Sequence, residues 1–288
     1  MIQIIQGDCV QKLTRLKPRT VNTCITSPPY WLLRDYGTGT WVGGKADCDH
    51  LGDTMRAWTI SNATKAPREF YREECPKCGA KRVDDKQLGL EETPERFLRN
   101  MVRVFRFVKN ALRNDGTLWL NMGDSYHHHN LQLNGMPWRL ALALQEDGWI
   151  LRQDIIWHKP NPMPESVKNR CTKAHEYIFL FSKTKKYYFD HKGIMEEAVH
   201  EEGMRAKRSV WTQAGDSAPQ SEHFATYPQK LIEPCVIAGS PKGGIVLDPF
   251  AGLGTTGIVA ENLGRDSIMI ELSKEYIREM KKRIKKLT

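Results

Sequence analysis

Asp248-Pro249-Phe250-Ala251-Gly252-Leu253-Gly254-Thr255-Thr256-Gly257 is the stretch on which the fold turns. Gly244-Ile245-Val246-Leu247 before it is a short apolar run that predicts a buried strand. Gly257 to Gly264 after it is a helical run closed by glycine. Strand, glycine-rich turn and helix start therefore follow one another. Glycine has no Cβ, so backbone at such a turn can approach a ligand closely. The helix start adds free N–H groups and partial positive charge for an anionic group. Ser267-Ile268-Met269-Ile270 predicts the next strand and ends at Glu271, an acid placed to accept from ribose hydroxyls. Together these features predict a site for a nucleoside-containing cofactor. Gly252, Gly254 and Gly257 also satisfy GxGxxG, a spacing shared with nicotinamide sites and with turns that hold no ligand. The choice of cofactor depends on the rest of the chain.

Val21 to Thr26 predicts a second strand, running into Ser27-Pro28-Pro29-Tyr30-Trp31. Two prolines stop a ladder and fix φ, and they push the preceding residue to an extended conformation. Ser27 is thus presented at a rigid strand tip with an aromatic ring just beyond; a plain proline turn fits the same residues. Met1 to Ile5 predicts a strand and Val10 to Leu16 a short helix. Thr93-Pro94-Glu95 opens a helix with an apolar face through Phe97, Met101, Phe105 and Val108, which Asn114-Asp115-Gly116 is expected to end. Strands are predicted at Thr117 to Asn121, Trp149 to Trp157 and Ala174 to Ser182, and a basic hairpin tip at Lys183 to Tyr188. Helices are predicted at Met136 to Asp147, Tyr227 to Ala238 and Ser273 to Leu287. In the last, Lys281, Lys282, Arg283, Lys285 and Lys286 read as a solvated face complementing the helix dipole. Strands alternate with helices, so the expected class is α/β with a mostly parallel sheet. In a standard dinucleotide fold the glycine turn belongs to the first βα unit. Here one strand and one helix follow it, which predicts a permuted order and argues against an ordinary dehydrogenase.

The chain has 288 residues, 40% hydrophobic and 27% charged, enough for one large α/β domain with an insertion or two small domains. No run approaches the roughly 18 apolar residues of a membrane span. Met1-Ile2-Gln3-Ile4-Ile5 lacks a secretory pattern, so the expected compartment is the cytoplasm. A formal net charge of +9 is compatible with a polyanionic partner. From Leu32 to about Leu90 the periodicity dissolves, and so long a loop inside a compact domain calls for a staple. Cys48 and His50 with Cys75 and Cys78 suit tetrahedral zinc bound by three thiolates and one imidazole. Four protein ligands make the site structural; free surface cysteines beside an unrelated histidine fit the same spacing. The glycine turn lies elsewhere in the chain, so this staple is expected to be separable from cofactor binding. His127-His128-His129 reads as a solvated loop rather than a metal site. Asp190 to Glu222 is irregular, and its Arg205, Lys207, Arg208 and Trp211 suit nucleic acid and equally a solvated loop.

Thr26-Ser27-Pro28-Pro29-Tyr30, followed far downstream by the Asp248 to Thr256 stretch, resembles the β-group of DNA amino-methyltransferases, which carry the catalytic motif before the cofactor motif. The resemblance covers nearly the whole chain. It implies a Rossmann-like methyltransferase sheet, S-adenosyl-L-methionine as methyl donor and double-stranded DNA as partner. Gly7-Asp8-Cys9 matches the family's adenine-contacting motif, which puts Asp8 and Cys9 at the cofactor. Phe224, Ala225 and Thr226 match the segment that packs over the methionine end. Asp248, Pro249, Phe250, Gly252, Gly254, Thr255, Thr256 and Glu271 complete the expected cofactor set. Trp157 to Ser166 and Lys173 to Tyr177 match a segment common in these enzymes. The implied organisation is a catalytic half at 1–31 and 91–189, the zinc-bearing insertion at 32–90, a target-recognition region at 190–222 and a cofactor-binding half at 223–288. The insertion departs from the family's minimal pattern, and by following on Tyr30 it is expected to border the DNA cleft.

The chemistry of Ser27, Pro28, Pro29 and Tyr30 agrees with that resemblance. An exocyclic base amine is a poor nucleophile because its lone pair is delocalised into the ring. The Ser27 hydroxyl and the Pro28 carbonyl can both accept from the NH₂ group, favouring a tetrahedral nitrogen by positioning and electrostatics. The base must flip out of the duplex to be reached, and Tyr30 offers it a stacking face. Serine at the first motif position resembles the cytosine-N4 members, whereas adenine-N6 members usually carry Asp or Asn. Adenine-N6 methylation is the alternative. A nicotinamide oxidoreductase leaves the SPPY motif unused, and a catalytically silent DNA-binding module leaves Ser27, Tyr30 and Asp248 unexplained. The recognition sequence, the oligomeric state and a cognate restriction nuclease are not legible in the sequence.

Overall fold

The computed structural model describes residues 1–33, 38–48, 74–83, 86–127, 131–198, 202–215 and 227–286. One sheet contains β1 (Ile2–Gln6), β2 (Val21–Thr26), β5 (Leu112–Met122), β6 (Ile150–His158), β7 (His175–Ser182), β10 (Val210–Thr212), β11 (Ile245–Asp248) and β12 (Asp266–Glu271). Their order is β1-β12-β11-β2-β5-β7-β6-β10. Two antiparallel pairs stand apart from it: β3 (Thr40–Val42) with β4 (Lys81–Val83), and β8 (Glu196–Glu197) with β9 (Met204–Arg205). Within the main sheet only β7 runs against its neighbours, so the expected mostly parallel sheet is what forms.

Both faces of the central strands are apolar, as a sheet covered by helices requires. Leu118, Leu120, Phe179 and Phe181 pack with α1 (Cys9–Leu13), α2 (Pro94–Ala111) and α3 (Met136–Glu146). The alternating residues Trp119, Ile178 and Leu180 pack on the other face with α4 (Gln229–Gly239) and α5 (Thr255–Asn262). The closing helix α6 (Lys274–Lys285) brings Met280 and Ile284 onto Ile2, Ile4 and Met269 at the β1 edge. Among the described residues no helix is long and apolar enough to cross a membrane.

Thr93 caps α2 as its sequence predicts, its side chain accepting from Arg96 N at 3.2 Å. The predicted end of that helix differs. α2 stops at Ala111, and Asn114-Asp115-Gly116 lies inside β5. The ladder explains this: Val21 pairs with Leu112 but Thr23 with Thr117, so β5 carries the extra residues as a bulge against β2. Lys183 to Tyr188 is not a hairpin tip either. It crosses the start of β5, with Lys183 Nζ donating to Leu112 O and Tyr188 N to Asp115 O, and the next strand, β8, pairs with β9.

β11 and β2 lie side by side. The chain leaves β2 toward β5 by way of α2, and leaves β11 toward β12 by way of α5. Connections departing in opposite directions open a crevice at the carboxyl ends of the two strands. Ser27 and Pro249 both sit at that crevice.

Candidate active site

Asp248, at the end of β11, is 1% exposed and accepts four hydrogen bonds. Oδ1 takes Thr26 Oγ1 at 2.6 Å and Phe250 N at 3.0 Å. Oδ2 takes Tyr227 OH at 3.1 Å and Thr256 Oγ1. Burial pushes the carboxyl pKa up and the donors pull against it, with a net rise. Tyr227 is held far above the usual phenol range by burial and by Asp248, so it remains a donor. Tyr227 OH and Thr256 Oγ1 also share a hydrogen bond of 2.5 Å, so the two hydroxyls and the carboxylate form one network. Asp248 shapes the turn and also lines the second space beside it. Gly254 caps α5 at φ 77, and a Cβ there would meet Met280 Cγ at 2.5 Å, so glycine is required on two counts.

A cleft of about 820 Å³, its open mouth included, lies over the turn. Asp8, Cys9, Pro249, Phe250, Gly252 and Glu271 line it, as does Pro29. Glu271 Oε2 accepts from Gly252 N and Oε1 from Ser273 N, each at 2.8 Å. Burial pushes its carboxyl up to about 7. Asp8 caps α1 by accepting from Gln11 N at 2.8 Å. Burial raises the Cys9 thiol to about 12, so it is an uncharged packing group. Thr256 is buried behind the turn, and Thr255 faces a second chamber. Phe224, Ala225 and Thr226 lie outside the described residues. The cleft size suits a nucleoside-sized ligand, and its apolar walls and acidic strand tip suit an adenosine group.

The second chamber, about 760 Å³, is lined by Ser27, Pro28, Tyr30, Asn121, Lys159 and Glu176, with Trp157 and Tyr227. Ser27, Phe250 and Gly252 line both spaces, so a ligand in one can reach a ligand in the other. Tyr30 OH donates to Glu176 Oε2 at 2.7 Å, and Ser27 Oγ donates to Tyr30 OH at 3.3 Å. These directions follow from the carboxylate, which only accepts. Burial and Glu176 keep the Tyr30 phenol far above its usual range. Lys159 pairs with Glu176 at 2.5 Å and lies 4.2 Å from the Trp157 ring centroid. Gly123 lets Tyr30 seat: a Cβ there would meet Tyr30 Cε2 at 2.8 Å.

Sequence reasoning assigned no role to Tyr227, Asn121, Lys159, Glu176 or Arg283. Lys159 and Glu176 stood inside matched segments and Tyr227 directly follows the matched Phe224 to Thr226, which was the available signal. Arg283, read as a solvated face, donates to Leu253 O at 3.0 Å and to Thr255 Oγ1 at 3.2 Å, bracing the glycine turn. In the 190–222 region the structure takes Trp211 out of the exposed set. β10 joins the main sheet beside β6, and Trp211 is buried at 7% exposure against Trp119. Arg205, Lys207 and Arg208 converge on Glu196. His127 closes a turn with Gln132, its N–H on Gln132 O at 2.7 Å; His128 and His129 lie outside the described residues.

In the insertion, Cys48, Cys75 and Cys78 bring their sulfurs within 4.8 Å of one another. Cys48 Sγ and Cys75 Sγ are 3.8 Å apart. Tetrahedral zinc with Zn–S of about 2.3 Å sets sulfurs about 3.8 Å apart. Cys75 opens a tight turn, with Gly79 N on Cys75 O at 2.8 Å and Cys75 N on Ala80 O at 2.7 Å. Backbone N–H groups of Lys45 and Ala80 and the neighbouring thiols lower the Cys78 pKa to about 6. His50 lies outside the described residues. The insertion reaches the cleft over the glycine turn, where Thr38, Lys86, Gln87 and Leu88 line it.

The family described as DNA methylase (N6_N4_Mtase) matches residues 21–282. The type II methyltransferase M.SmaI of Serratia marcescens is 38% identical over 98% of this chain and 90% of its own length. M.Cfr9I of Citrobacter freundii, also a type II methyltransferase, is 36% identical over 95% of this chain and 84% of its own. Among solved structures, the cytosine-N4-specific PvuII DNA methyltransferase superposes with a TM-score of 0.70 at 18% identity, covering 98% of this chain and 86% of that one. The M1.HpyAVI–SAM complex gives 0.59 at 20% identity, covering 99% of both chains. With the family matched over most of its length, this chain belongs to the N6/N4 DNA methylases and is an S-adenosylmethionine-dependent DNA methyltransferase.

Proposed function

We propose that the enzyme methylates the exocyclic N4 of a cytosine flipped out of duplex DNA. The observation that carries this reading is the hydroxyl of Ser27 at the junction of the two spaces, its proton directed to Tyr30. With that proton committed, the lone pairs of Ser27 Oγ are left to accept from an amine. S-adenosylmethionine in the cleft supplies an electrophilic methyl group on a sulfonium. Ser27 Oγ and the Pro28 carbonyl hold the two amine hydrogens, which localises the nitrogen lone pair. As the N–C bond forms and the C–S bond breaks, the nitrogen becomes cationic and sheds a proton to Ser27 Oγ. The proton of Ser27 moves to Tyr30 and that of Tyr30 to Glu176. Glu271 would hold the ribose hydroxyls of the bound donor, and the apolar walls of the cleft would exclude water.

Cytosine is favoured over adenine by serine, rather than an acid or amide, at the first motif position. The names of the relatives support a modification role in a type II restriction-modification system. Zinc held by Cys48, Cys75 and Cys78, with His50 as fourth ligand by sequence spacing, supports the insertion. The test is expression in a host free of DNA methylation, followed by sequencing that distinguishes modified bases. N4-methylcytosine at a fixed position in a short sequence is expected; N6-methyladenine would overturn the choice of base.

A further inference from the structure

The insertion returns to the body of the protein by two limbs. The outgoing limb carries Thr38 and then β3; the returning limb carries β4 and then Lys86, Gln87 and Leu88. Both limbs supply wall to the cofactor cleft, and Thr38 Oγ1 donates to Gln87 Oε1 across them at 3.4 Å. Among the described residues, the backbone pairing between the limbs is short. β3 and β4 pair over three residues each, Thr40 with Val83 to Val42 with Lys81, and Val42 is 58% exposed. A two-stranded ribbon that short is marginal alone. Beyond it stands the cysteine cluster, which joins the outgoing limb through Cys48 to the returning limb through Cys75 and Cys78. Gly44, at φ +72, leaves room for Cys78 Sγ, which a Cβ would meet at 2.6 Å.

We propose that zinc bound by Cys48, Cys75 and Cys78 clamps these two limbs and thereby builds one wall of the cofactor cleft, so that S-adenosylmethionine binds tightly only to the zinc-loaded enzyme. This rests on the zinc reading above and goes beyond it: the metal becomes a determinant of cofactor affinity. Metal loss frays β3 from β4, and Thr38, Lys86, Gln87 and Leu88 leave the cleft. At the base of the insertion, Leu32 N donates to Gly89 O at 2.7 Å, and Gly89 packs on Pro29, so the disturbance ends beside the catalytic motif.

The test uses the full chain. Elemental analysis should find about one zinc per chain, and calorimetry should find cofactor affinity at least tenfold weaker after chelation, restored by zinc. Cys78→Ser should reproduce the weak state; Cys171→Ser, an exposed cysteine outside the cluster, should not. Coupling between two sites is reciprocal, so saturating S-adenosylmethionine should strengthen zinc retention against a competing chelator by the same factor in the intact, folded enzyme. That arm decides the matter even if stripped protein unfolds. Zinc present but indifferent to the cofactor overturns the coupling and leaves the zinc reading standing. No zinc, with a disulfide among the three cysteines instead, overturns both.

Discussion

Tyr30 and Glu176, 146 residues apart in the chain, share a 2.7 Å hydrogen bond that fixes the proton direction of the whole catalytic motif. Glu176 is itself held by Lys159 and by Asn121 Nδ2 at 3.4 Å. The strand pairing of β5 with β7 puts Asn121 opposite Ile178 and Met122 opposite Tyr177, which delivers Glu176 to the mouth of the chamber.

If that bond orients Ser27, Tyr30→Phe and Glu176→Gln should each lower kcat by on the order of 10², the low end for positioned proton transfer. Cofactor affinity should stay within about twofold of wild type, an order-of-magnitude bound for sites that do not touch. The double variant should be no slower than the slower single one, because both remove one chain of bonds. Single-turnover kinetics with calorimetry checks this, and a Glu176→Gln enzyme of full rate would refute the orientation.

Ser27→Ala should cost about 2–4 kcal/mol of transition-state stabilisation, by comparison with the loss of one preorganised hydrogen-bonding group. Ser27 also lines the cofactor cleft, so its effect on cofactor affinity is small rather than nil. Wild-type turnover in this variant would remove Ser27 from the mechanism.

Asp248→Ala leaves the hydroxyls of Thr26, Tyr227 and Thr256 and the Phe250 N–H without their acceptor. One stranded buried group costs about 1–3 kcal/mol, so the total should exceed about 3 kcal/mol. Asp248→Asn keeps one acceptor oxygen and should lose less. Denaturant unfolding of the two variants gives the comparison, and equal stabilities would contradict the donor geometry.

Glu271 gives a pH signature with two opposite signs. Its folded pKa of about 7 lies above the ordinary 4.5, so the protonated carboxyl stabilises the free fold. That contribution is complete below the unfolded value and is lost as pH rises through about 7. Ribose hydroxyls donate to the ionised form, so cofactor affinity should instead weaken as pH falls below about 7. Calorimetry across that range should show proton release on binding, and Glu271→Gln should flatten the profile.

The sequence by itself determined the elements whose physics is local. The apolar run before Asp248, the glycines after it and the acid at Glu271 give a strand, a turn and an acidic strand tip at the cleft from neighbours in the chain. Thr93 and Pro94 start α2 for the same reason. It could not determine what depends on pairing between distant strands. Asn114-Asp115-Gly116 has turn chemistry, yet the ladder with β2 absorbs it as a bulge. Arg205, Lys207 and Arg208 stand close together in sequence, but that they gather on Glu196 follows from the pairing of β8 with β9. Glu176 and Tyr227 acquire roles only because β7 and the segment leading into α4 carry them to Tyr30 and Asp248. The insertion shows the same division: the cysteine spacing suggests a cluster, but only the folded limbs bring the three sulfurs together and carry Thr38 and Leu88 to the cleft. Local propensity acts over a few residues, whereas a site assembled at the junction of two strands is decided by which strands lie side by side.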